Sequence, residues 1–293
     1  MSSSLSWRAL GAGLAAASIW GGMYVVSKAV MNTVPPLTLL ASRLILAIGL
    51  LAWWLPSRPR PAWSLWPRVL AVGAVGYGLS LSLQFVGTHL STAANGALVT
   101  TATPAFVYVF ARILFREPIP RQRWLALALA TVGVLVVMDP RQGDWGSERF
   151  VGNVLLAAAA LTWALYSVLI GRLAGRADLF WVSVLAFLGG LFLVLPLATL
   201  ELYRQGGLSG PLTPGVIAGV LFVGWVSTAL AMVLWNYAFA RLPAGIAGLT
   251  FFAQPVVGTL LSTWFLHEPL PVTFWLGAVF IAAGLMLAVR AGP

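Results

Sequence analysis

Two stretches of this chain spell the same text: Ser91 to Gly133 reads STAANGALVTTATPAFVYVFARILFREPIPRQRWLALALATVG, and Leu242 to Gly284 reads LPAGIAGLTFFAQPVVGTLLSTWFLHEPLPVTFWLGAVFIAAG. At a constant offset of 151 residues, without a gap, Ala93, Leu98, Ala102, Pro104, Glu117, Pro118, Pro120, Trp124, Leu125 and Gly133 recur as Ala244, Leu249, Ala253, Pro255, Glu268, Pro269, Pro271, Trp275, Leu276 and Gly284. Two Glu-Pro-x-Pro-x-x-x-Trp-Leu strings in register are not chance. The chain is an internal duplication, expected to divide into residues 1–140 and 141–293.

Outside the repeat, composition sets the solvent. Sixty per cent of the residues are hydrophobic and 8% charged, too few to clothe a soluble surface of 293 residues and enough to furnish the ends of a bundle in lipid. The net charge of +10 then reports topology rather than nucleic-acid binding. The absence of cysteine excludes disulfides, thiolate zinc sites and iron–sulfur clusters. The first 20 residues resemble a secretion signal, but their apolar run continues past Ala17 to about Met31, long enough to span.

Apolar runs of spanning length fall near residues 8–31, 36–55, 67–88, 91–114, 122–139, 151–173, 178–200, 213–239, 243–265 and 272–290. The expectation is an all-α integral membrane protein of ten transmembrane helices, with short loops and no extramembrane domain. Five helices per repeat is an odd number, so the second half enters from the opposite side and the repeats are inverted around a central cavity. Charge supports this. The first Glu-Pro turn is flanked by Arg116, Arg121 and Arg123, and its twin has no Arg, as the positive-inside rule requires. With both termini in the cytoplasm, twelve Arg residues fall inside and three (Arg141, Arg149, Arg204) outside.

Ten helices, inverted halves, the Trp20-Gly21 pair in the first helix and the two Glu-Pro turns together resemble the drug/metabolite transporter superfamily, in particular its EamA-type exporters and, among them, the bacterial aromatic amino-acid exporters. The resemblance covers almost the whole chain. It implies a basket of helices 1, 3, 4, 6, 8 and 9, a bacterial inner-membrane location and efflux of small metabolites. One departure stands out: the small multidrug-resistance branch uses a carboxylate in its first helix, and residues 8–31 contain no Asp or Glu.

The candidate site residues lie on helical faces. Trp20, Tyr24, Ser27 and Lys28 share one face of the first helix, and Thr162, Trp163, Tyr166 and Ser167 one face of the sixth. Trp20 and Trp163 sit near mid-span, where an indole N–H needs a neighbouring helix, a substrate or a wet cavity. Tyr77, Ser80 and Gln84 form a polar stripe on the third helix, and Trp225, Thr228, Met232, Trp235 and Asn236 the matching one on the eighth. The buried amide of Gln84 bonds either a substrate or another helix. Asn95 and Thr100 precede Pro104, and Phe251 precedes Pro255; each proline removes a bond near Thr100 or Phe251, making both points candidate hinges. Other tryptophans sit near helix ends, where aromatic belts belong.

All seven acids lie at helix ends or in loops, so no embedded carboxylate is available to a proton or sodium ion, and transport by facilitated diffusion or exchange is expected. Lys28 and Arg43 either snorkel or face a substrate carboxylate. The Glu-Pro pairs read as stiff reversals between helices. These residues predict a carrier of small amphipathic metabolites, neutral and aromatic amino acids first, in a lipid bilayer, without metal or cofactor, its oligomeric state left open, a monomer included. The alternative is an exchanger of phosphorylated sugars or nucleotide sugars, which needs clustered cations. An intramembrane enzyme is disfavoured, since no H-E-x-x-H string and no paired intrahelical acids occur.

Overall fold

The computed structural model describes residues 7–116, 121–138, 147–174, 176–239, 241–242 and 250–290, and among them it is all helical. In chain order the α-helices are α1 (Trp7–Val30), α2 (Pro36–Ala52), α3 (Trp66–Gly73), α4 (Leu81–Leu90), α5 (Ala93–Thr100), α6 (Thr103–Phe115), α7 (Arg121–Met138), α8 (Glu148–Ala174), α9 (Leu179–Gln205), α10 (Pro214–Leu221), α11 (Ala231–Phe239), α12 (Ala253–Leu266) and α13 (Val272–Arg290). Two π-helical stretches, Ala74–Ser80 and Phe222–Leu230, join α3 to α4 and α10 to α11.

Among the described residues, six helical stretches are long and apolar enough to cross a membrane: Trp7–Val30, Trp63–Leu90, Arg121–Met138, Glu148–Leu173, Leu179–Gln205 and Pro214–Ala238. A seventh is the pair α5 and α6, bent by 41°. The protein is therefore a multi-span helical membrane protein. Against the ten expected spans, α2 with 17 residues and α12 with 14 are short. At 1.5 Å per residue α2 reaches about 26 Å, just under a 30 Å hydrocarbon core. The first Glu-Pro turn (Glu117, Pro118, Pro120), Asp139, Asp144 and the Gly245 and Gly248 part of the ninth run lie outside the described residues.

The bend between α5 and α6 has the expected cause. Thr101 and Ala102 form a turn, and Pro104 occupies the first turn of α6, where its missing N–H costs nothing. Phe251 and Phe252 form the corresponding turn ahead of α12, which contains Pro255. Further along, Arg116 and His267 hold the left-handed backbone (φ 57° and 52°) that ends α6 and α12. They are 151 residues apart and the only described non-glycine residues with positive φ.

Helices α7 and α13 pack closely, through the recurring glycines. A Cβ on Gly133 would lie 2.6 Å from Ile281 and 2.8 Å from the Gly277 carbonyl; one on Gly284 would lie 2.7 Å from the Ala126 carbonyl and 2.9 Å from the Ala130 amide. Shifted by 151 residues, Gly133 becomes Gly284, Ala126 becomes Gly277 and Ala130 becomes Ile281. The contacts are reciprocal, as across a twofold axis. Gly21 serves α1 similarly, its α-carbon facing the Gln254 carbonyl of α12, where a Cβ would sit at 2.5 Å.

Candidate functional site

Two aromatic groups occupy the interior. In the first, Trp20 of α1 meets Trp235 of α11 (centroids 5.1 Å apart) and Phe251 (5.9 Å), which themselves lie 5.2 Å apart. The Trp20 indole N–H donates to the Ser227 carbonyl at 2.9 Å. That carbonyl sits near the end of a π-helical stretch, where the Ala231 amide bonds the carbonyls of Val226 and Thr228 and passes over Ser227. In the second group Tyr77 meets Phe187 (4.5 Å), Tyr166 (5.3 Å) and Trp163 (5.4 Å), and Trp163 meets Tyr166 (4.8 Å). These edge-on and tilted geometries are the favoured ones for aromatic pairs. Tyr77 interacts with the Tyr166 hydroxyl, but its own hydroxyl makes no contact of full hydrogen-bond geometry.

Polar groups run beside the rings. The Tyr24 and Thr100 hydroxyl oxygens are 2.6 Å apart, and Thr100 Oγ1 donates to the Gly96 carbonyl at 2.7 Å. With its one proton committed, Thr100 accepts from Tyr24. The two protons of Gln254 Nε2 are shared among three acceptors, Thr100 Oγ1 (3.2 Å), Thr101 Oγ1 (3.3 Å) and the Ala97 carbonyl (3.1 Å), gathering the polar atoms at the α5–α6 break. Arg43 of α2, 5% exposed, donates from Nε to Thr228 Oγ1 at 2.5 Å, lies over the Phe85 ring at 5.5 Å, and is within electrostatic reach of Tyr24 and Tyr77.

One end of the bundle is closed by bonds between distant elements. Glu268 accepts from the backbone amides of Ala93 (2.9 Å) and Ala94 (3.1 Å) and from the Ser262 hydroxyl, capping α5. Glu201 does the same for α2, accepting from the Leu37 (3.2 Å) and Thr38 (2.9 Å) amides and the Thr38 hydroxyl (3.0 Å). A carboxylate at a helix N-terminus satisfies orphan N–H groups and complements the dipole. Lys28 caps the other polarity: its ammonium donates to the carbonyls of Thr88 (3.1 Å), His89 and Ser91 (2.8 Å) at the C-terminus of α4. Lys28 is thus bonded to three protein carbonyls in this structure. Toward the opposite end a cavity of about 250 Å³ opens between α2, α9 and α11, lined in part by Leu51, Ser183, Ala229, Met232 and Asn236.

Of the residues singled out from the sequence, Trp20, Trp235 and Phe251 meet in one group, and Tyr77, Trp163 and Tyr166 in the other. Tyr24 and Thr100 bond each other, and Asn236 lines the cavity. Ser80 and Asn95 are bonded between helices: Ser80 to the Ala159 carbonyl (2.8 Å), Asn95 to Ser91 Oγ (3.2 Å) and Asn153 Oδ1 (3.0 Å). Gln84 is buried on α4. Trp225, expected on the inner face with Thr228, is 43% exposed. The π-helical stretch is the reason, because its wider turn rotates side chains off a 3.6-residue stripe. Phe187 and Glu201 were missed; the only local hint of π geometry is a Val-Gly-aromatic string shared by Val75-Gly76-Tyr77 and Val223-Gly224-Trp225.

The sequence pattern of the EamA-like transporter family matches the chain twice, over residues 7–139 and 150–290. An uncharacterized transporter of Archaeoglobus fulgidus is 24% identical over 92% of this chain and 93% of its own. A protein of Salmonella typhimurium described as a probable amino-acid metabolite efflux pump is 26% identical over 92% of this chain and 91% of its own. One solved crystal structure superposes with a TM-score of 0.63 at 21% identity, covering 97% of both chains, which supports the fold.

Proposed function

Because the chain belongs to the EamA-like transporter family, we propose that it is an inner-membrane secondary transporter that exports small amphipathic metabolites, with neutral and aromatic amino acids as the leading substrates, by alternating access between two inverted five-helix halves. The observation that carries this reading is the convergence of aromatic rings and uncharged hydrogen-bonding groups from both halves deep in the bundle: Trp20, Tyr24, Tyr77 and Thr100 from one, Trp163, Tyr166, Trp235 and Phe251 from the other. Rings that pack a side chain beside groups that bond a zwitterion suit such a solute. The efflux relative in Salmonella typhimurium agrees.

Several features support inverted halves of residues 1–140 and 141–293. They are the doubled family match, the reciprocal packing of Gly133 and Gly284, and the paired left-handed residues Arg116 and His267. With both termini cytoplasmic, the end closed by Glu201, Glu268 and Lys28 faces outward, and the cavity near Asn236 opens inward, the orientation from which an exporter loads. Pro104 follows the bend between α5 and α6, Pro255 holds the corresponding position in the second half, and both would serve as hinges. The family's named relatives are transporters, which points away from an enzyme. A phosphorylated sugar carries about two negative charges and calls for clustered cations, and Lys28 is already committed to carbonyls.

The test is uptake of labelled solutes into liposomes holding the purified protein, with unlabelled solute trapped inside and equal pH across the membrane. Phenylalanine, tyrosine or tryptophan should accumulate faster than aspartate or a sugar phosphate. Accumulation of the sugar phosphate instead would move the reading to the exchanger, and a strict need for a pH gradient would remove the proton-independent mechanism.

A further inference from the structure

Among the described residues Arg43 is a cation without an anion. It lies within an apolar helix, 5% exposed; no described carboxylate pairs with it, and its Nη1 is buried without a hydrogen-bond partner. An unpaired guanidinium in a membrane interior is costly, and a fold that only needed packing there is served by an apolar residue of similar volume. Such residues mark ligand pathways.

Its surroundings are arranged as for a guest. The two π-helical stretches converge on it: Thr228 of one holds Nε, and Tyr77 of the other lies within electrostatic reach, with a hydroxyl that lacks a full hydrogen bond. Surplus turns of this kind are frequent at functional sites. The Phe85 ring lies against the guanidinium, 5.5 Å from its central carbon, and Nη1 beside it has no hydrogen-bond partner. Tyr77 also belongs to the ring group with Trp163, Tyr166 and Phe187, so an anion held at Arg43 has an aromatic wall beside it. The inward cavity reaches Ala229, the residue after Thr228, and Leu51, about 12 Å along the helix that bears Arg43.

We propose that Arg43 is the ligand for a substrate carboxylate, its N–H edge and the Tyr77 hydroxyl taking the two oxygens while the Tyr77, Trp163, Tyr166 and Phe187 rings hold an apolar or aromatic group. This rests on the transporter reading and narrows its solute to a monocarboxylate, since one guanidinium balances one charge. The site is closed in this structure, with Arg43 and Tyr77 both buried.

The experiment is calorimetric titration of the purified protein in nanodiscs with phenylacetate, benzoate and phenylalanine, and with phenylacetamide, benzamide and phenylalaninamide. The acids should bind about tenfold or more tightly than the amides. Arg43→Gln should abolish that preference, Arg43→Lys retain part of it, and the melting temperature of Arg43→Gln should equal or exceed that of the native protein. A strut between helices predicts the reverse, with stability lost and the acid preference unchanged. If Arg43→Gln does not fold, Thr228→Val decides, weakening the acids alone. Equal affinity for acids and amides, no binding of any acid, or native acid binding by the variants overturns the proposal. Phenylacetate binding without phenylalanine binding would sink the amino-acid reading and leave Arg43 in place, whereas phenylalanine uptake unaltered by Arg43→Gln would do the opposite.

Discussion

Glu268→Gln asks whether a carboxylate from one half holds the other shut. Glu268 accepts from two amides that open α5, Ala93 N at 2.9 Å and Ala94 N at 3.1 Å, and from the Ser262 hydroxyl. Gln keeps one acceptor oxygen and loses the charge that favours the helix N-terminus. A hydrogen bond to a charged group is worth about 1.5–3 kcal/mol and the dipole about 0.3–1 kcal/mol at an exposed site; discounting for partial exposure leaves a loss of about 1–2 kcal/mol. If that bond exists only while this end of the bundle is closed, the open population rises about five- to thirtyfold. The chain has no cysteine, so a single one can be read without background. Thr88→Cys suits, because Thr88 is buried at that end and its hydroxyl has no partner to lose. The labelling rate of Thr88→Cys by an impermeant maleimide in proteoliposomes should rise by that factor in the Glu268→Gln background. A lowered melting temperature with an unchanged labelling rate would refute the reasoning, leaving Glu268 as a cap on α5 in every conformation.

Three further expectations follow from the same contacts. Lys28→Met should lower the unfolding temperature, as three carbonyls lose a charged donor at about 1–2 kcal/mol in all, and leave solute affinity untouched; a changed KM for uptake would restore Lys28 as a ligand. Gly133→Leu and Gly284→Leu should each destabilise by about 1–3 kcal/mol or more through overpacking, and to a similar degree in thermal unfolding, because their contacts are reciprocal; damage at one site alone would deny the symmetry. Trp20→Phe keeps the ring wall and gives up the bond to Ser227, so stability should fall by about 1 kcal/mol while uptake of aromatic solutes falls much less than in Phe251→Ala; equal losses of uptake would show that the indole N–H matters as much as the wall.

How legible the molecule was depended on the range of each interaction. The duplication, the lipid solvent and the bend before Pro104 are written in local spacing, and a proline breaks a helix wherever it stands. The aromatic faces were readable at Trp20 and Tyr166 because those helices keep a 3.6-residue period. Trp225 was misplaced because one surplus residue in the turn shifts the period, and the Val-Gly-aromatic string is the only local hint of it. Glu268 looked like part of a reversal and is also the cap of a helix 175 residues away. Glu201 and Lys28 are of the same kind: a carboxylate or ammonium at a helix end is unremarkable until the fold brings a second helix terminus to it.

The glycine contact between α7 and α13 has a practical use. Where two helices touch backbone to backbone, no side chain can swivel to let them slide, and a shift of even an ångström breaks many contacts at once. This pair is therefore the molecule's fixed datum. Spin labels placed one on each helix should return a single narrow distance whether the transporter is empty, loaded or inhibited, and every other interhelical distance in the protein can be calibrated against it.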